Sequence, residues 1–328
     1  MKPTNVTTTD WWTYNALFLA EHFLGEKWYN KLFGAAEKKL FNKIDMYAST
    51  YPNGETFKIL DYKKGTWTEP LGHPYYPKIF RGAASEWGCC KKWSFDYFAE
   101  QYGNEDVVLI NNPGLVKDTD QAYDVIKLRD YIKNLKAGSK QYLKFSRIVD
   151  EKSELRNDFD VQWLRKFKVR FAQNELFYFF MGGKDTLTPI HDGFATTVFV
   201  QVTGTKRWIF YDTNNRLFIH ARPRRYNYFY SEADPHNLND PKFPLLKHAR
   251  QHEVILNAGD VLYFPSFVWH QVENVTDTIG MAYKFAALLS GFTSSKMLAT
   301  CFLLATKPWL IETMLPWRPD TYNYKSKL

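Results

Sequence analysis

Hydrophobic and polar positions along the chain fall into three regimes. In the first, Trp12, Leu17, Leu19, Phe23 and Leu24, then Trp28, Leu32, Phe33, Leu40 and Ile44, recur at helical spacing over residues 10 to 46, with Asp10 placed to cap. This predicts an N-terminal helical region. Residues 50 to 77 are rich in Pro, Gly and Tyr and predict loops with one strand near Phe57 to Leu60. In the second regime short apolar runs sit between turn residues and predict strands at 78–80, 107–110, 142–146 and 176–181. Helices are expected at 94–102, where Ser94 is the cap, and at 119–135 and 158–167. The third regime is strand-rich, 194–211 and 253–285, interrupted by a polar excursion from Asn214 to His252. That excursion is long for a structureless loop, so it is either functional or carries local structure of its own.

Within the third regime Val198, Val200 and Val202 alternate with Phe199 and Gln201. Gly204 turns the chain, and Lys206, Trp208 and Phe210 open the next strand. This is the pattern of a hairpin in an antiparallel sheet. Later, Gly259-Asp260 precedes Val261 to Phe264, Pro265 begins a turn, and Trp269-His270 resumes an extended run. A double-layered antiparallel barrel brings strands so separated in sequence face to face, and its mouth is a natural ligand cavity. Two inward histidines there, His191 and His270, can hold Fe(II), Mn, Zn or Cu. A lone histidine on an apolar strand is more often a satisfied core residue; two beside Gly/Pro turns favour a metal. Lys206, 15 residues after His191, supplies a point charge suited to an oxyacid.

Composition narrows the class. A chain of 328 residues, 45% hydrophobic and 18% aromatic, is ample for a sizeable core. The net charge of +8 is spread along the length, with local excess at Arg222 to Arg225 and at Lys325 and Lys327; it reads as a solvated basic surface and gives no strong nucleic-acid signal. Cys89, Cys90 and Cys301 form neither an even disulfide framework nor a zinc pattern, which favours a reducing, intracellular and cytoplasmic setting. The N-terminus has no apolar core of a signal peptide. Residues 297 to 317 contain Lys307, Pro308, Glu312 and Pro316, which argues against a transmembrane span and for packed helices.

Thr188-Pro-Ile-His191, Gly204-Thr-Lys206-Arg-Trp208 and Gly259-Asp-Val-Leu-Tyr-Phe-Pro265 with Trp269-His270-Gln-Val-Glu-Asn274 form one combination, preceded by Pro77-Lys-Ile-Phe-Arg-Gly-Ala83. Over residues 77 to 286 it resembles the JmjC and cupin-like family of Fe(II)- and 2-oxoglutarate-dependent oxygenases. The resemblance implies a mainly β fold, a double-stranded β-helix (jelly-roll or cupin barrel). It divides the chain into an N-terminal helical and irregular region (1–76), the barrel (77–286) and a C-terminal helical tail (287–328). It implies Fe(II) held by His191 and His270, and 2-oxoglutarate held by Thr188 and Lys206. Tyr178 and Lys284 would line the co-substrate pocket, with a plain packing role equally open. The implied substrate is a small molecule or peptide, and the implied assembly a homodimer through the C-terminal helices.

One position departs from the family. Its usual third ligand is a carboxylate two residues after the first histidine, since residues i and i+2 share a strand face. Here that position is Gly193, and Asp192 beside it points to the opposite face of a regular strand. Three readings follow. Asp192 reaches the metal through a bulge, giving a hydroxylase. Alternatively, iron keeps two histidines and the space at Gly193 admits water, chloride or bromide, as in the related halogenases, giving halogenation or another atypical oxidation. In the third, the metal site is lost and the barrel is a catalytically silent binding module.

Overall fold

The computed structural model describes residues 2–48, 57–67, 71–72, 75–110, 123–223 and 228–303. Helix α1 (Thr8–Leu24) begins where Thr7 accepts a hydrogen bond from the Asp10 amide, and ends at Gly25 with φ 76°, a conformation that favours glycine. α2 (Glu26–Tyr47) restarts at once, so the expected helical region is a hairpin. Asp10 lies in the first turn rather than at the cap and joins the two helices, bonding Lys43 at 2.7 Å and Tyr47 at 2.9 Å.

The chain continues as β1 (Leu60–Tyr62), β2 (Lys78–Phe80), α3 (Gly88–Lys92), α4 (Phe95–Gln101), β3 (Asp106–Ile110), β4 (Tyr123–Lys127), α5 (Leu128–Lys136), β5 (Tyr142–Ser146), α6 (Ile148–Glu151) and α7 (Val161–Arg165). Nine further strands follow. They are β6 (Gln173–Gly182), β7 (Leu187–Gly193), β8 (Thr196–Thr203), β9 (Lys206–Tyr211), β10 (Tyr228–Tyr230), β11 (His252–Leu256), β12 (Val261–Phe264) and β13 (Trp269–Asn274), with β14 (Thr278–Ala286) closing the set before α8 (Leu288–Ser294) and α9 (Lys296–Leu303). Ser94 caps α4 as expected, accepting from the Tyr97 amide. The helix expected at 119–135 is corrected: its described first part is strand β4, where Val125 and Ile126 pair with Val107 and Val108, and only the remainder is α5. Cross-strand pairing there overrides the local helical pattern.

Nine strands form one sheet in the order β1-β2-β12-β8-β14-β6-β5-β3-β4, and five form a second, β10-β7-β13-β9-β11. Their inner faces share a core containing Tyr178, Phe199, Trp208, Phe210, Leu262, Phe264 and Ala282. The outer face of the larger sheet carries Val198, Val200, Val202 and Met281 under α3 to α7, and that of the smaller carries Ile190, Phe194 and Phe229 under α1 and α2. Burial on both faces explains why β8 reads as a nearly unbroken apolar run. Gly204 is required at the turn after β8: its φ is 72°, and a Cβ there would lie 2.0 Å from the Asp277 carbonyl.

The polar excursion has local structure. Two 3-10 turns, at Thr213–Leu217 and Leu246–His248, flank β10. Arg222, read as part of a solvated basic surface, pairs with Glu37 at 2.8 Å and Glu21 at 3.1 Å, clamping the excursion to α1 and α2. Residues 224–227 of that basic run, and 304–328 with Lys325, Lys327 and most of the apolar tail, lie outside the described residues. Among the described residues no helix is long and apolar enough to cross a membrane.

Candidate active site

The site is built on the inner face of the smaller sheet. β9 and β13 pair so that Phe210 lies opposite His270, Trp208 opposite Val272 and Lys206 opposite Asn274. On the other side of β13, β7 places His191 opposite His270 and Thr188 opposite Val272. Two residues of β13 therefore span three of β7, a bulge that falls at Pro189-Ile190. In a regular strand residues three apart face opposite ways. The bulge brings Thr188 and His191 to the same face, and Pro189 suits a position with no ladder hydrogen bond.

The imidazoles of His191 and His270 lie 4.3 Å apart, centre to centre. Each Nδ1 is 2.8 Å from a backbone carbonyl two residues earlier, Pro189 for His191 and Val268 for His270. A carbonyl only accepts, so each Nδ1 carries the proton and each Nε2 keeps its lone pair as a metal ligand would. Both rings are held neutral. Burial, with the charges of Lys284 and Lys144, pushes His191 down to about 4 despite the Pro189 carbonyl. Burial and the facing His191 push His270 well below its ordinary value.

Lys206 is fully buried and donates to Tyr142 Oη at 3.0 Å and to Asn274 Oδ1. Desolvation, reinforced by Lys144, lowers its pKa to about 7. Four residues of strand separate its row from that of His270, about 13 Å of backbone, a span that two inward side chains and a small dicarboxylate can bridge. Tyr178 faces the same interior, its phenol pushed up to about 12 by burial. Lys284 lies over the rings of Phe145 and Tyr178, and burial lowers its pKa to about 8.

Gly193 and Asp192 separate cleanly. Among the described residues a Cβ added at Gly193, on the face of His191, meets no atom within 4 Å. Asp192 is completely buried on the other face, where its Oδ1 accepts from the Phe229 amide at 3.3 Å and its Oδ2 has no hydrogen-bond partner. Desolvation pushes its pKa well above the usual carboxylate range, against the Phe229 amide and Arg216. Asp192, expected to reach the metal through a bulge, has its Oδ1 on the Phe229 amide, and the irregularity in β7 falls at Pro189-Ile190, before His191. Among the described residues no group of three His, Cys, Asp or Glu gathers as a metal site. The donor set present, two imidazoles with free Nε2, fits a metal held by His191 and His270; Trp208 Nε1, a buried donor without a partner among the described residues, lies in the same interior.

A family model for the cupin-like domain matches residues 72–288. The chain belongs to the cupin-like domain family. Relatives of this cupin-like chain include "JmjC domain-containing protein D" of Dictyostelium discoideum, 27% identical over 43% of this chain and 34% of that one. The mouse "2-oxoglutarate and iron-dependent oxygenase JMJD4" is 26% identical over 70% of this chain and 58% of its own length. "Lysine-specific demethylase JMJ30" of Arabidopsis thaliana is 22% identical over 70% and 55%. The chain thus spans between about a third and three fifths of these relatives. Cupin-like membership accounts for the mainly β barrel with helical additions.

Sequence reasoning missed Tyr142, Lys144 and Asn274, all buried in this cupin-like interior. The available signal was a lysine inside the apolar run Tyr142-Leu-Lys-Phe, which a buried strand carries only for a reason. Three other histidines have other roles: His220 packs edge-on to Phe41 and Phe243, His248 bonds Asp45, and His236 bonds Glu273.

Proposed function

We propose that this chain is an Fe(II)- and 2-oxoglutarate-dependent enzyme that functionalises an unactivated C–H bond from a two-histidine site, by halogenation or another atypical oxidation. The observation that carries this reading is the facing pair His191 and His270, each with Nδ1 fixed on a carbonyl, in the same interior as Lys206. Iron with 2-oxoglutarate would supply the oxidising chemistry when bound. The two Nε2 atoms would hold the metal. Lys206, steered by Tyr142 and Asn274, is suited to the far carboxylate of the co-substrate, with Thr188 beside the histidines and Tyr178 on the wall. Phe199, Phe210 and Phe264 keep the interior dry.

The halide part of the reading is supported by the open space at Gly193 and by the lysines, which favour an anion. With Fe(II) and 2-oxoglutarate bound under anaerobic conditions, chloride is expected to shift the visible absorption of wild type and to have no effect on Gly193→Asp. Insensitivity of wild type to both chloride and bromide would defeat the halide reading and leave another two-histidine oxidation. A catalytically silent binding module is the second reading, favoured by the lack of a third protein ligand among the described residues. Formation of succinate from 2-oxoglutarate, dependent on iron and abolished in His270→Ala, would exclude it.

A further inference from the structure

Three lysines reach the barrel interior, Lys144 from β5, Lys206 from β9 and Lys284 from β14, and their surroundings differ. Lys206 is held by polar atoms of Tyr142 and Asn274. Lys284 instead lies 5.0 Å from the ring centre of Phe145 and 5.8 Å from that of Tyr178, and among the described residues no carboxylate pairs with it. Lys284 is half-buried, and an ammonium on aromatic faces recovers only part of the hydration it gives up.

The bed under Lys284 is held in a strained conformation. The pairing of β5 with β6 shifts register between Leu143 and Ser146, and Phe145 within that shift has φ 56°. A bulky residue adopts that region only when its surroundings impose it, and such residues cluster at functional sites. The irregularity lets consecutive residues serve one interior: Lys144 lies 4.9 Å from the Tyr142 ring centre, while Phe145 packs edge-on to Tyr178 and Phe180.

Charge gives the second line of argument. A divalent metal and a dicarboxylate cancel, so the positive field of the lysines is what the interior offers a further anion; Lys144 and Lys284 both act on His191, and Lys284 acts on His270 as well. Asp192, whose charge would offset one of them, faces the other side of β7.

We propose that Lys284, with Lys144 adding to its field, anchors an anionic group of the substrate, a carboxylate or a phosphate, at a site separate from that of Lys206. The substrate is thus an acid, with the rings of Phe145, Tyr178 and Phe180 against its carbon skeleton. Its role as substrate rests on the oxygenase reading; the anion site itself does not.

The test uses the full chain with Zn(II) as a redox-inert metal, titrated calorimetrically with 2-oxoglutarate, then with inorganic phosphate or acetate at saturating 2-oxoglutarate. Lys284→Met is expected to weaken phosphate or acetate binding at least about tenfold while changing 2-oxoglutarate affinity less than about threefold; Lys206→Met is expected to do the reverse. Whichever of phosphate and acetate binds more tightly identifies the oxyanion. Equal loss of 2-oxoglutarate in both variants, an anion that binds only by displacing 2-oxoglutarate, an affinity indifferent to Lys284, or no binding of either anion overturns the proposal. Binding of phosphate through Lys284 in a wild type that ignores 2-oxoglutarate would sink the oxygenase reading and leave the anion site standing. Both variants are expected to melt no lower than wild type, since methionine keeps the stem and removes a desolvated charge.

Discussion

Among the described residues nothing lies within 4 Å of a Cβ at Gly193, on the face of His191, so Gly193→Asp adds a carboxylate beside the histidines without displacing any of them. Mn(II) affinity, followed by electron paramagnetic resonance, is expected to tighten at least about tenfold; an unchanged affinity would place residue 193 away from the metal. Asp192 behaves oppositely. Its folded-state pKa is raised by burial, so the native protein binds the proton more tightly than the unfolded chain and loses stability as pH rises above about 4. Asp192→Asn lacks that loss, so its melting temperature relative to wild type should climb with pH above this point, with no change in metal affinity. Lys206 titrates in a third sense. Burial lowers it to about 7, so the unfolded chain holds the extra proton between that pH and its ordinary value, and stability rises across this window. A dianion needs the ammonium form. 2-Oxoglutarate binding should therefore weaken as pH rises above 7 and take up protons, as calorimetry in buffers of different ionisation enthalpy would show. The identities of His191, His270 and Lys206 were legible from sequence because residue type and spacing carry them. The direction of Asp192 followed from strand parity, but its burial against Phe229 did not, because that contact comes from 37 residues away.

Among the elements, β7 departs most from its sequence pattern. Parity alone puts Thr188 and His191 on opposite faces; the bulge at Pro189-Ile190 unites them, and only the register with β13 reveals it. β4 was misread because pairing with β3 outweighs helical periodicity, whereas α4, with a true side-chain cap at Ser94, was read correctly. The N-terminal hairpin is a support for the site: Phe18 of α1 meets Phe229 of β10 at 6.0 Å, and Phe229 meets Phe267 at 6.2 Å, directly behind β7. Phe229→Ala leaves a cavity there and is expected to cost about 3–5 kcal/mol in urea unfolding. A cost below about 1 kcal/mol would mean that the helices do not buttress the sheet.

On the scale of the whole molecule, two sheets enclose an aromatic interior whose chemistry is two neutral imidazoles, two buried lysines and the half-buried Lys284. The barrel was legible because its strands are apolar on both faces and its turns carry Gly and Pro; the lysines were not, because burial is a property of the assembled sheets. That interior suits a metal with an anionic co-substrate, and it is the central claim. The most direct test is anaerobic titration of the protein with Fe(II) and 2-oxoglutarate, watched for a weak visible charge-transfer band. The band is expected in wild type and should be lost in His270→Ala; its absence from wild type, or its persistence in His270→Ala, would contradict the account.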